Sequence, residues 1–277
     1  MQEVISRWSE NAPYWEKHRT IIRGMFAPVT EALIKAALVA RGSAVLDVAT
    51  GPGEPALTIA ELVGEEGKVL GIDVVAEMVQ AARREASRRK AHNVSFAVAS
   101  AEVLPAQADC FDAVVSRFGV MFFLDPLRAV REMLRVLKLG GRIALAAWHF
   151  AANNPFHYTV SQVLERHVKS PPPAEDAPDA FRFARRGKLR AVLEEAGATE
   201  VSENLLQFSI QAPISVEEFW TLRSEMSENI RTKLANLPKE TITEVHREAI
   251  EALRAYSGER GMSMPAEVLI VGGRKSS

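Results

Sequence analysis

Asp47, Gly51 and Gly53 lie in the run VLDVATGPG (45–53), where an apolar stretch ends in an acid and passes straight into a glycine loop. Glycine suits a backbone that must turn sharply or let a ligand lie against it with no Cβ in the way. The pattern Asp-x-x-x-Gly-x-Gly therefore points to a loop that holds a nucleotide-like ligand. Read alone, Gly51-Pro52-Gly53-Glu54-Pro55-Ala56 also satisfies Gly-x-Gly-x-x-Ala, and Asp73 follows 20 residues after Gly53, as in a dinucleotide site.

A pyrophosphate in such a site is held by backbone N–H groups at the loop and the helix start. Pro52 and Pro55 have none to give, and Glu54 adds a negative charge where phosphate would sit. A ribose-bearing ligand without phosphate, uncharged or cationic, fits these residues better. Asp73, at the end of a second apolar run, is placed to accept hydrogen bonds from both ribose hydroxyls. Its competing role is the N-cap of a helix over 76–90, which the intervening Val74-Val75 disfavours.

The elements that must position these residues are legible from periodicity. From 44 to 149 short β-branched runs alternate with helical segments, the pattern of a parallel sheet covered on both faces: 44–49, 68–75, 94–99, 111–116 and 142–149. Asp125 is placed to cap a helix with Pro126 in its first turn, apolar residues Leu127, Val130, Leu134 and Leu137 on one face, and Gly140-Gly141 beyond its end. Residues 3–40 read as helices rich in aromatics. A helix near 155–168, a Pro-rich loop at 170–178, a helix ending at Gly197 and strands near 200–211 and 267–273 complete the chain. Ser215 and Glu218, at capping-box spacing, open a helical insertion over 215–257. Its apolar face, Phe219, Leu222, Met226 and Ile230, reads either as core packing or as a lid over the carboxyl ends of the strands, where ligands of open α/β sheets sit.

The division expected is an N-terminal helical cap (1–43), a ligand-binding core (44–150), and a remainder (151–277) that completes the sheet and carries a substrate lid built from 155–168 and 215–257. The 277 residues are 47% hydrophobic, enough for a well-buried core, and a net charge of −1 provides no field for binding nucleic acid. The basic run at 83–90 reads as a solvated helix face. Cys110 is the only cysteine, so there is neither an intramolecular disulfide nor a thiolate metal cluster. No run has the ~20 apolar residues of a membrane span, and the N-terminus lacks the apolar centre of a signal peptide. A soluble, cytoplasmic protein is expected, with oligomeric state open and a homodimer included.

The stretch 44–149 resembles a class I S-adenosylmethionine-dependent methyltransferase, and is most similar to the ubiquinone/menaquinone-biosynthesis type. The matching pieces, in order, are VLDVATGPG, GIDVVAEMVQAAR (71–83), VASAEVLP (98–105), FDAVVSRFGVMFF (111–123) and LKLGGRIALAAW (137–148). The resemblance implies a Rossmann-like, doubly wound, mostly parallel seven-stranded sheet with an antiparallel last strand. It implies S-adenosylmethionine as co-substrate, no metal, and a small-molecule acceptor. Gly51 and Gly53 would lie under the methionine moiety, Ala49 and Thr50 would line the turn, and Asp47 would fix the loop or reach the ligand's amino group through water. Asp73 would take the ribose, with Val74 and Met78 against the adenine and Ser100, Ala101 and Glu102 at its edge. Relatives commonly carry Asp or Asn at position 100; Ser100 keeps a hydrogen-bonding group with shorter reach. Arg117 and Phe118 would meet the methionine end, the Arg117 guanidinium pairing either a ligand carboxylate, a substrate anion or a surface acid.

Methyl transfer turns a sulfonium into a neutral thioether and needs alignment and exclusion of water more than a dedicated catalytic group. Aromatic faces favour the sulfonium, and Trp8, Tyr14 and Trp15 supply them. For a hydroxyl or acidic-carbon acceptor a base is needed, and His149, just after the fifth strand, is the candidate, ahead of His18 and His157. The His149/His157 pair, with no nearby carboxylate or cysteine cluster in sequence, gives no metal site. Two competing readings are a nicotinamide-dependent oxidoreductase, opposed by Pro52, Pro55 and Asp47, and a non-catalytic S-adenosylmethionine-binding protein.

Overall fold

The computed structural model describes residues 2–168 and 176–276. Most of the Pro-rich loop, 170–175, lies outside the described residues. Three helices come first: α1 (Gln2–Lys17), α2 (Arg19–Met25) and α3 (Ala27–Ala36). The core then runs β1 (Ala44–Val48), α4 (Ala56–Val63), β2 (Lys68–Asp73), α5 (Ala76–Arg89), β3 (Val94–Val98), β4 (Phe111–Arg117), α6 (Pro126–Val136) and β5 (Leu137–Trp148). It continues through α7 (Pro155–His167), α8 (Lys188–Glu195), β6 (Ala198–Ala212), α9 (Val216–Met226), α10 (Glu228–Ala235), α11 (Lys239–Arg254), β7 (Ser257–Gly258) and β8 (Gly261–Lys275).

The seven long strands form one sheet in the order β3-β2-β1-β4-β5-β8-β6, with the two-residue β7 paired to β8. All neighbours from β3 to β5 are parallel, and β8 enters antiparallel between β5 and β6, as the family resemblance implies. The order reverses between β1 and β4, which opens a crevice at the carboxyl ends of those strands. In β1, Val45, Leu46, Asp47 and Val48 are all buried, because helices cover both faces of a central parallel strand.

Local chemistry explains the element ends. Asp125 caps α6 by accepting the Arg128 N–H at 2.9 Å, and Pro126 occupies the first turn. Ser215 and Glu218 close both bonds of the capping box that starts α9. Phe219, Leu222, Met226 and Ile230 of the insertion are buried, joined by Val245, Ala249 and Leu253 of α11. Fully burying each Val, Leu, Ile, Met or Phe side chain of this set contributes about 1.5–3 kcal/mol. The basic run on α5 is exposed at Arg83, Arg84 and Arg88, yet it is organised around one buried acid: Glu85 pairs with Arg88, Arg89 and, from α2, Arg19.

Several elements differ from the sequence reading: β8 begins at Gly261 rather than 267, and β2 ends at Asp73 rather than 75. Between β3 and β4 the crossover, 99–110, holds no helix. β5 begins at Leu137 rather than 142, because Gly140 at φ +79° lets the chain pass a register shift against β4 between Phe111 and Ala113.

Candidate functional site

The end of β1 builds the glycine loop from inside. Asp47 is fully buried; its Oδ2 accepts the Thr50 hydroxyl at 2.6 Å and the Ala56 N–H, the first amide of α4, at 3.1 Å. One amide of the helix start is thus taken by an internal acid, in a place where a phosphate site would offer it to ligand. Oδ1 of Asp47 is buried with no partner among the described residues. Burial pushes the Asp47 carboxyl up to about 7, against the lowering effect of its Thr50 hydrogen bond and the nearby Arg117.

The two loop glycines do different work. A Cβ at Gly51 (φ +55°) would meet nothing within 4 Å, so this backbone is open to a ligand. A Cβ at Gly53 (φ +108°) would come within 2.8 Å of Leu57 Cδ1 and 3.3 Å of Ala82 Cβ, so this glycine lets the loop pack onto α4 and α5. Glu54 is engaged by neighbouring helices. Its carboxylate takes the Thr58 hydroxyl at 2.6 Å and lies 2.9 Å from Arg89 and 3.4 Å from Arg23. The negative charge expected where phosphate would sit is therefore spent on a helix-bridging ion pair.

Asp73 ties the loop to β2. Its Oδ2 accepts the Gly51 N–H at 2.9 Å and its Oδ1 the Val75 N–H at 3.0 Å, while burial raises its carboxyl above the ordinary range. Each oxygen keeps a second lone pair for a hydroxyl donor. Asp73 does not cap α5, whose N-cap position is Val75.

Between the ends of β1, β2 and β3 lies a small cleft lined by Ala49, Asp73, Val74, Ser100, Ala101 and Glu102, with Phe122, Phe123 and Leu124 closing the far side. Ser100 donates its hydroxyl to Glu102 Oε2 at 3.3 Å, and Glu102 Oε1 accepts the N–H groups of Leu124 and Asp125, each at 3.1 Å. Glu102 so braces one wall against the other. The contribution of 122–124 was not read from the sequence; the run MFF at 121–123 was its only signal.

Other expected residues fall outside that lining. Met78 is buried with Ala12 and Val75 beneath Trp8 and Trp15. Trp8 touches Phe122 edge-on at 5.2 Å, so α1 closes the cleft's flank through Trp8. The Trp15 Nε1 is buried without a partner among the described residues. Tyr14 lies under the Arg231 guanidinium, 4.6 Å from its ring centroid, at the seam with α10. Arg117 is internal: it donates to the Thr30 hydroxyl at 2.9 Å and the Glu54 carbonyl at 3.3 Å, fastening α3 to the loop. Phe118 (φ +63°) stacks on Trp148 with centroids 4.4 Å apart and planes 2° from parallel. Gly119 next to it allows the close approach of Ala49, whose Cβ would be 2.4 Å from an added one.

His149 leaves the end of β5 and meets an acid 118 residues downstream: its Nδ1 lies 2.7 Å from Glu267 Oε2 on β8. Gln207 and Asn153 also donate to Glu267, at 2.9 and 2.5 Å. The Gln207 bond is the largest of the effects that hold Glu267 below its ordinary value. His157 contacts Trp148 at 4.5 Å, and burial drives its pKa well below the usual range, leaving it neutral. No group of three or more His, Cys, Asp or Glu side chains among the described residues is placed to hold a metal ion.

Residues 28–163 match the model of the ubiE/COQ5 methyltransferase family. The chain is 36% identical over 149 residues to aklanonic acid methyltransferase DauC of Streptomyces sp. (strain C5), covering 52% of this chain and 68% of that protein. It is 35% identical over 186 residues to the ubiquinone/menaquinone biosynthesis C-methyltransferase UbiE of Marinomonas sp. (strain MWYL1), covering 62% and 72%. Its fold is also that of the YcgJ protein from Bacillus subtilis, at a TM-score of 0.57 and 20% identity over 90% of this chain and 98% of that one. A donor loop with an unpartnered buried carboxylate oxygen and an open glycine, an acid at the end of β2 and these relatives agree: the chain belongs to the ubiE/COQ5 methyltransferase family and uses S-adenosylmethionine as methyl donor.

Proposed function

We propose that the methyl acceptor is a small molecule carrying an acidic hydroxyl or carbon, and that His149 takes its proton. The observation behind this reading is the His149–Glu267 pair at the carboxyl end of β5, 2.7 Å between Nδ1 and Oε2. The carboxylate holds the ring with Nδ1–H as donor, which leaves Nε2 as the basic nitrogen. The bound donor supplies an electrophilic methyl on a sulfonium.

The rest is positioning. Asp73 takes the ribose hydroxyls, Gly51 offers open backbone beside the methionine part, and Asp47 Oδ1 receives the ammonium group directly or through water. Helices α1, α7 and α9 to α11 enclose the acceptor and exclude water. Relatives bearing the names aklanonic acid methyltransferase and ubiquinone/menaquinone biosynthesis C-methyltransferase support an organic acceptor of this kind. A cytoplasmic setting without nucleic-acid partners belongs to the same reading, supported by a net charge of −1. The monomer or homodimer question is answered by light scattering.

The test is thermal shift with S-adenosylmethionine, S-adenosylhomocysteine and NAD in parallel, followed by transfer of labelled methyl into fractions of a cell extract. A ligand at ~100-fold its dissociation constant stabilises by about 2.7 kcal/mol. Shift by the two sulfur ligands and label in an extractable small molecule support the proposal. Label appearing only in protein or nucleic acid defeats it.

A further inference from the structure

Only three polar side chains line the cleft at the ends of β1, β2 and β3, and two of them are acids: Asp73, Ser100 and Glu102. The other lining side chains are apolar. Asp73 ends β2, whereas Ser100 and Glu102 follow β3, its neighbour in the sheet; Asp73 pairs in register with Val98, and the Ala99 N–H donates to the Asp73 carbonyl at 2.9 Å. The polar groups thus belong to two adjacent strand ends.

Ser100 is turned on Glu102 in both directions: its Oγ accepts the Glu102 N–H at 3.2 Å and donates its one proton to Glu102 Oε2 at 3.3 Å. What remains on the hydroxyl is one neutral lone pair. On Glu102, Oε1 is filled by the N–H groups of Leu124 and Asp125, while Oε2 takes only the Ser100 hydroxyl among the described residues and keeps an acceptor position free. The carboxylate is also held still, because the Glu102 carbonyl accepts from Arg128 Nε on α6 at 3.1 Å, which ties its backbone and its side chain to the same wall. It is an anchored acceptor.

We propose that Glu102 Oε2, and not the Ser100 hydroxyl, accepts the exocyclic amine of the donor's adenine, which makes Glu102 the residue that sets the base specificity of the site. The amine carries the only N–H groups of a ribose-linked adenine, and an ionised acceptor makes the stronger bond with them. A base without the amine leaves the carboxylate facing a carbon, with its desolvation uncompensated. The apolar lining suits the faces of the ring. The proposal rests on the reading that Asp73 takes the ribose, since that puts the base at the end of the next strand.

The test is calorimetry on the full chain with S-adenosylhomocysteine and with its analogue whose base is unsubstituted purine, identical but for the amine. The wild type is expected to bind S-adenosylhomocysteine at least ~10-fold more tightly than the analogue, the scale of one hydrogen bond to a charged group. Glu102→Ala is expected to bind the two within ~3-fold of each other, because deleting the amine and deleting its acceptor remove the same interaction. Glu102 acting only as a brace would weaken both ligands alike and leave the wild-type preference intact, which overturns the proposal. Glu102→Gln keeps the shape of the brace and offers a neutral acceptor, so its preference is expected to fall between; a wild-type preference in that variant also overturns it. Ser100→Ala is expected to keep the preference, and its loss there would put the amine on Ser100. A wild type that binds both ligands alike defeats this proposal alone, whereas one that binds neither defeats the methyl-donor reading and this proposal with it.

Discussion

The carboxylate of Asp73 accepts the backbone N–H of Gly51 at 2.9 Å, so the acid at the end of β2 shapes the glycine loop. Removing it costs twice, through the lost ribose contacts and through a loop amide left without its acceptor. Asp73→Ala is expected to weaken S-adenosylhomocysteine binding by about 10- to 100-fold, since hydrogen bonds to charged groups contribute about 1.5–3 kcal/mol. Calorimetry on the purified variant measures it, and unchanged affinity would remove the ribose assignment.

Asp47 gives the ligand-free protein a pH signature. Its folded carboxyl sits at about 7 against an ordinary 3.8, so across that interval the folded chain keeps a proton that the unfolded chain has lost. With more protons bound in the folded state, stability falls as pH rises through the interval and levels off above it. Urea midpoints at pH 5 and pH 8 are expected to differ less in Asp47→Asn than in the wild type; identical differences would contradict the assignment.

His149→Ala is expected to lower the rate of methyl transfer by ~10²- to 10⁴-fold, the usual reach of a positioned base, without altering donor affinity. Glu267→Gln keeps the ring's neighbour but not its charge, and should cost less. A His149→Ala enzyme of full activity would mean that transfer proceeds without this base.

Gly53→Ala is expected to destabilise the fold by about 1–3 kcal/mol, because the new methyl is forced against packed neighbours at a positive φ. The clash is with Leu57 Cδ1 at 2.8 Å. Gly51→Ala strains the backbone at φ +55° but meets open space, so its effect should show in donor affinity more than in the urea midpoint.

The central strands could be read from the sequence because each is a short β-branched run buried on both faces, and the donor loop because its glycines and acids lie within a few residues of one another. The start of β8 escaped that reading. Pro265 within the run argues against a strand, yet it pairs with Ser209 on β6 and lies beyond the end of the β5 ladder at Val268, where one edge of β8 lacks a sheet neighbour and a missing N–H costs little. The partners of His149 and Arg223 were equally hidden. Glu267 reaches His149 only because β8 runs antiparallel to β5, and Arg223 meets Phe156 only through the packing of α9 beside α7. Burial was the missing quantity elsewhere. Nothing in the spacing of Arg117 says that its guanidinium is internal, or that Met78 faces Trp8 and Trp15 while Val74 beside it lines the cleft.

The ladder between β6 and β8 carries a consequence for the helices between them. It runs without a break from Ser202↔Gly272 to Ala212↔Met262, so α9, α10 and α11 leave and rejoin the sheet at paired neighbours. A segment clamped at its root in this way adds little closure entropy to the rest of the chain. Helices of other lengths can be grafted on the same stem while the parallel half of the sheet keeps its geometry, which makes the segment between β6 and β8 structurally exchangeable.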